Sequence, residues 1–183
     1  MLTFVRRLLS REGGRGQSLV EVAITTPVLL ALIMGLFDAG TLVIDQVTMT
    51  GAAREGARLA AAMGGTQSNP GDTHCELDGT IVQGVLAVAS SARFATVTEI
   101  DVYQPTSSDG SYVAGNPVNR YDGSGSSIGP CSYTMAMRTQ DIPNEAQIAV
   151  RVIWKYQPPM LFVSKTALTM SQYTTMMMAP ITS

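Results

Sequence analysis

Apolar residues are arranged along this chain in two ways. From Val22 to Phe37 they form the block VAITTPVLLALIMGLF, sixteen residues without a charge. Beyond about residue 80 they recur at short intervals within polar sequence. The block is shorter than the roughly 20 apolar residues that a bilayer crossing takes. Leu19–Val20 before it and Thr41–Ile44 after it extend it to a membrane segment over about residues 19–44. The next stretch, TLVIDQVTMTGAAREGARLAAAM (41–63), has no proline and is rich in alanine, leucine and methionine, all strong helix formers. Arg54 and Arg58 lie four apart, and Glu55 is an i,i+3 partner for Arg58. One helix is therefore expected from about Gln17 to Met63, roughly 70 Å long at 1.5 Å per residue. Pro27 is expected either to kink or locally melt it or, equally, to be tolerated as a proline within a membrane helix. About half of this helix must project beyond the membrane.

After Gly64–Gly65 the pattern changes. Residues 64–79 are loop chemistry, GGTQSNPGDTHCELDG. Residues 80–93 space Ile81, Val85 and Ala89 as one helical face, with Asp78 as a candidate cap. Thr96–Tyr103 alternates weakly as a strand, and residues 104–130, rich in Ser, Gly, Asn and Pro, read as a long surface loop. Cys131–Thr139 alternates through Tyr133, Met135 and Met137 and is expected to be a strand. The clearest strand is AQIAVRVIWKY, with Ile148, Val150, Val152, Trp154 and Tyr156 on one face. Pro158–Pro159 turn the chain toward a last strand at 166–176. The expected fold is α+β, a long N-terminal helix packed on a small, mostly antiparallel sheet. It divides into a basic leader (1–16), the helix (17–63) and a head (64–183).

Charge orients this arrangement. Arg6, Arg7, Arg11 and Arg15 precede residue 17, opposed there only by Glu12, and Asp38 and Asp45 follow the apolar block. The positive-inside rule puts the N-terminus in the cytoplasm and the head outside. Without residues 1–16 the chain keeps 8 basic and 13 acidic residues. It therefore lacks the clustered Lys and Arg that nucleic-acid binding requires. Cys75 and Cys131 are a disulfide by default in an exported domain and free thiols in the cytosol. Paired, they close a loop of about 57 residues, worth roughly 4 kcal/mol in the chain-entropy model.

The informative hexapeptide is Gly16–Gln17–Ser18–Leu19–Val20–Glu21, where a basic leader ends in glycine and a glutamate stands fifth after it. This resembles the processing site of type IV prepilins, which a membrane prepilin peptidase cuts after the glycine. GQSLVEVAITTPVLLALIMGLFDAGTLV followed by TGAAREGARLAA resembles the TadE-like family of minor pilins and pseudopilins of the Flp (tight adherence) pilus, over about residues 15–62. The resemblance implies cleavage between Gly16 and Gln17. It also implies partners of three kinds: prepilin peptidase, other pilins along the N-terminal helix, and the inner-membrane assembly platform. Pilus initiation or assembly, adhesion or secretion would be the role, and a head of this size favours initiation, priming or a tip position over the repeating shaft. Val22 departs from Flp-type prepilins, in which an aromatic residue commonly follows the glutamate.

Physical chemistry supports a contact role for Glu21. A carboxylate at the edge of an apolar helix is costly and is normally paired or functional. The amine created at Gln17 of a neighbouring subunit would attract it by roughly 4 kcal/mol at 4 Å and an effective dielectric near 20, before desolvation. Against this stands a Glu21 solvated among lipid headgroups. Ala31, Gly35 and Ala39 form a ridge of small residues that would let another helix approach closely, although such residues are common in membrane helices.

Catalytic chemistry is weakly represented. His74 is the single histidine, and with Asp72, Cys75, Glu76 and Asp78 it reads better as a solvated acidic loop than as a metal site. Neither a phosphate loop nor a nucleophile elbow occurs, so no cofactor and no enzymatic activity are expected. Glu99 and Asp101 alternate on a strand and are expected on a wet face. Met176–Met178 are expected to fill core rather than to form an interface patch, the alternative that methionine's adaptability offers. Two rival readings are a membrane-tethered binding domain that never assembles, and an enzyme secreted after signal-peptidase cleavage near Ala39 or Gly40.

Overall fold

In the computed structural model the described residues are 13–63, 75–107, 109–138, 146–160 and 166–178. A single helix, α1, spans Gly13–Met63. It begins four residues before the expected Gln17 and continues through Pro27 without a break. Proline at 27 removes the amide that would bond the carbonyl of residue 23. The hydroxyls of Thr25 and Thr26 donate to the neighbouring carbonyls of Glu21 and Val22, at 2.9 and 2.7 Å. Such hydroxyl donors help a helix tolerate proline in an apolar medium.

Four antiparallel strands follow: β1 (Ala95–Tyr103), β2 (Val118–Asp122), β3 (Gln147–Tyr156) and β4 (Leu168–Met177), in the order β2-β1-β3-β4. A second helix, α2, covers Asp78–Ala89. Long apolar helix and small antiparallel sheet make the chain α+β, as the periodicity predicts. Both helices pack on one face of the sheet. The central strand β3 presents Ile148, Val150, Val152, Trp154 and Tyr156 to that core, all buried, because strict alternation puts them on one face.

The core is closed by small residues of α1. Ala52, Ala53, Gly56, Ala57 and Ala60 are buried at helical spacing. Gly56 admits Val85 of α2 and Val150 of β3, since a Cβ there would lie 2.5 and 3.0 Å from their methyl carbons. On α2, Gly84 receives Leu59 in the same way. Small residues at these crossings bring helix and sheet close enough for valine and isoleucine to interlock.

Two expectations on strands are corrected. The 104–130 segment contains β2, paired with β1 from Glu99↔Asp122 to Tyr103↔Val118. Its alternation is hidden because the inward positions are Asn119 and Tyr121, both buried and one of them polar. Within Cys131–Thr139, Met135–Met137 instead form a single 3-10 turn. Tyr133 joins the hydrophobic core and Met135 is also buried, without a ladder among the described residues.

Candidate functional site

The Gly16–Gln17 bond lies within α1. The Gln17 amide Nε2 donates to Glu21 Oε1 at 3.3 Å across one helical turn, and both side chains are exposed. A Cβ at Gly16 would meet nothing within 4 Å, so that stretch of backbone is open on its surface. From there the helix is apolar all round: Leu19, Ile24, Leu32 and Leu36 are among its exposed residues, Leu36 at 74%. A helix with this character belongs in lipid or among other helices. From Gly16 onward α1 is also, among the described residues, the one helix long and apolar enough to cross a membrane. Of the ridge residues, Ala31 and Gly35 are half-buried and Ala39 is exposed.

The environment of α1 changes at Asp38. Asp38 and Asp45 stand seven apart, hence on one face, and are 1% and 2% exposed. Asp45 accepts the backbone amides of Arg93 and Phe94 on Oδ1 and Oδ2, at 3.1 and 2.9 Å. Asp38 Oδ1 accepts the amide of Met160 at 3.0 Å, and its carbonyl accepts the Tyr156 hydroxyl at 2.8 Å. That hydroxyl also lies 2.6 Å from Thr41 Oγ1. These acids seat two loops of the head, around Arg93–Phe94 and around Met160, on the helix. Their spacing relative to the alanine face is a signal already present in the sequence, where they counted only as charges flanking the span. A groove of about 410 Å³ opens beside them, lined by Phe37, Thr41, Ile44, Asp45, Arg93 and Phe94, among others.

A second polar cluster holds the far side of the head. Cys75 and Cys131 are joined by a disulfide, with Cα atoms 6.0 Å apart. Next to it, Asp78 and Arg138 form an ion pair at 2.7 Å in which neither side chain is exposed. Asp78 Oδ2 accepts from the Asn119 amide at 2.7 Å and from the Tyr121 hydroxyl at 3.1 Å. Asn119 Oδ1 accepts the amides of Ser132 and Tyr133, both at 2.8 Å. Arg138 donates to the Tyr133 carbonyl at 3.1 Å and lies over that tyrosine's ring. Asp78 is thus not a cap for α2; it occupies the first helical turn and its carboxylate turns inward to Arg138. Burial also pushes the Tyr133 hydroxyl up to about 12 and raises that of Tyr121. Sequence periodicity carries no signal for this cluster, because its members come from four separate segments.

The outer face of the sheet differs from expectation as well. Asp101 is fully buried and paired with Arg151, whose Nε donates to it at 2.8 Å. The Arg151 guanidinium stacks on Tyr112, and Tyr112 meets Tyr103 edge-on with centroids 5.4 Å apart. The loop after β1 folds back over this face, and the Tyr103 hydroxyl donates to the Gly110 carbonyl at 2.8 Å. Burial pushes Tyr103 up to about 12. Glu99, half-buried, is raised by burial and by the neighbouring Asp101. The Ser111 amide, with the Ser107 and Ser111 hydroxyls, holds exposed Asp109 down to about 2.

His74 and Asp72, proposed above as weak metal-ligand candidates, lie outside the described residues, as do the four leader arginines' side chains. Among the described residues no group of three or more His, Cys, Asp and Glu is placed to hold a metal ion. Met176 is half-buried, Met178 is buried and Met177 is 58% exposed, so the terminal methionines are only partly core.

No curated protein matches this chain, and no solved structure matches it. Residues 16–58, which hold Gly16, Glu21, the exposed apolar half of α1 and most of its alanine face, match the family model described as TadE-like protein, a segment that points to a Tad (Flp) pilus system.

Proposed function

We propose that the chain is a minor pilin or pseudopilin of a Tad (Flp) pilus system, with a structural and non-catalytic role. In this reading it enters the inner membrane with its leader in the cytoplasm and its head outside. Prepilin peptidase cuts after Gly16, and the matured helix packs with other pilins at the assembly platform. Glu21 then faces the new Gln17 amine of a neighbour. The observation that carries the reading is that one unbroken helix has an exposed, all-round apolar half beginning at the Gly16–Glu21 motif and a second half buried in the head. Cleavage within a helix requires local unwinding, and glycines at 13, 14 and 16 lower that cost by up to about 1 kcal/mol each.

N-terminal sequencing of the mature protein from its native membrane tests this, with the peptidase gene present and then deleted. The expected start is Gln17, lost on deletion. An intact Met1 in both strains, or a start near residue 40, would leave a tethered or a secreted domain.

A further inference from the structure

The end of the head beside Asp38 and Asp45 carries two adjoining hollows and two exposed cations. The groove of about 410 Å³ has exposed Phe37 and Ile44 on its α1 wall, with Arg93 and Phe94 opposite. A second hollow of about 460 Å³, reaching Thr96 and Pro158–Pro159, shares Arg93 and Phe94 with it. Elsewhere in the head Arg120, Arg138 and Arg151 each meet a carboxylate. Arg93 is exposed, and among the described residues its side chain meets none. The same holds for Lys155, which is exposed and stands opposite Thr96 across the β1–β3 ladder. The acids at this end are turned to backbone amides: Asp45 to those of Arg93 and Phe94, Asp38 to that of Met160. The last carbonyls of α2, from Leu86 to Ala89, accept hydrogen bonds from Ser90, Ser91 and Ala92. The surroundings of Arg93 therefore favour an incoming anion.

We propose that the groove binds the phosphate and upper acyl chain of an anionic phospholipid from the leaflet on the head's side, with Arg93 holding the phosphate. The inference rests on the membrane reading above and adds a lipid contact to it. From Leu19 to Phe37 the helix rises about 27 Å, close to the roughly 30 Å of a hydrocarbon core. Asp45 lies about 12 Å farther along the axis, and the headgroup layer is about 5–7 Å deep. A helix that leaves the hydrocarbon at Phe37 thus sets the lower lip of the groove against acyl chains and its upper end just above the headgroups. The walls follow the same order. Phe37 and Ile44 are apolar, and Arg93 enters at the level of Asp45, which accepts its amide. From there its apolar stem runs along the groove while the charged end meets the headgroup layer. The planar guanidinium matches phosphate oxygens two at a time. An apolar wall below an unpaired cation is the complement of a phospholipid, whose chain lies below its phosphate. A zwitterionic lipid would meet the same wall but gain less from Arg93 and Lys155, so selectivity for negative charge is the mark of the site.

Native mass spectrometry tests this on the full chain, released from nanodiscs of phosphatidylcholine and phosphatidylglycerol in equal parts. The unmodified chain should retain phosphatidylglycerol in preference to phosphatidylcholine. Arg93→Gln should lower that retention about tenfold, the loss of one charge-assisted contact. The Arg93 side chain is exposed and the seat on Asp45 uses its amide, so the head of this variant stays folded. Ile44→Trp fills the groove without a change of charge and should lower retention as well. Arg54→Gln removes an exposed cation farther along α1 and should leave retention unchanged. Equal retention of the two lipids, a full complement of phosphatidylglycerol on Arg93→Gln, indifference to Ile44→Trp, or an equal loss in Arg54→Gln would each overturn the proposal. Displacement of the lipid by inorganic phosphate would overturn it too, by marking a site for the free anion. A chain that does not enter the nanodisc defeats the membrane reading and the proposal together, whereas the other failures leave that reading standing.

Discussion

The two halves of α1 belong to one continuous helix but face different surroundings. Between Leu19 and Phe37 most side chains are apolar, and the large ones are exposed. Between Asp38 and Met63 the inward positions are alanine, glycine, methionine and two aspartates, and they are buried. Large residues suit the first half because nothing among the described residues covers them, and their hydrophobicity acts toward lipid or another helix. In the second half small residues win, because the sheet and α2 must come close. Hydrophobicity of a residue therefore says little about its burial here. Leu36 is exposed at 74% while Asp38, two positions on, is 1% exposed.

Alkaline titration should separate the halves most completely. All six tyrosines lie beyond residue 63. Tyr103 and Tyr133 have folded-state values raised to about 12 by burial, above the value of about 10 in an unfolded chain. A raised value means that their contribution to stability is complete below about pH 10 and is lost as pH climbs through 12. The head should then lose its Trp154 fluorescence signature over that window, while the micelle-bound first half of α1 keeps its helical circular dichroism.

Asp45→Ala would strip the Arg93 and Phe94 amides of their acceptor, and about 3 kcal/mol of head stability should go with it, read by urea unfolding in detergent. A loss under about 0.5 kcal/mol would mean that water replaces the carboxylate and that the seat is not energetically important. Next in size are two substitutions within the second half, one at its buried face and one at its exposed face. Gly56→Ala forces a Cβ against Val85 and Val150 and should cost about 1–3 kcal/mol, offset in part by helix propensity. Gly40→Ala meets nothing within 4 Å and should stabilise by about 0.5–1 kcal/mol. Equal effects at the two positions would erase the contrast. The smallest expected change in stability is that of Glu21→Ala, within about 0.5 kcal/mol for an exposed position. Its effect should fall on assembly, scored by recovery of the chain in sheared pili or in crosslinks to other pilins; normal assembly would remove Glu21 from the proposed mechanism.

What could be read in advance divides along the same line. α1 and β3 announce themselves because every residue involved obeys one local period. The acids misled, since Asp38 and Asp45 were counted as flanking charges, Asp78 as a cap and Asp101 as solvated. Each is buried against a group far away in sequence: a loop amide, Arg138 or Arg151. Local pattern cannot distinguish a carboxylate that faces water from one that faces a distant donor.

The sequence by itself determined the long helix, its apolar first half, the Gly16–Glu21 motif with its family resemblance, and the central strand. Those features depend on neighbours within a few residues, where side-chain period and propensity act directly. Only the tertiary structure decided that β2 emerges from a polar loop, that four acids become internal partners, and that the chain folds back over the β2 edge while the β4 edge is unpaired among the described residues. Those outcomes depend on which distant segment covers a given face, and hence on where the chain finds the donors that make burying a charge affordable.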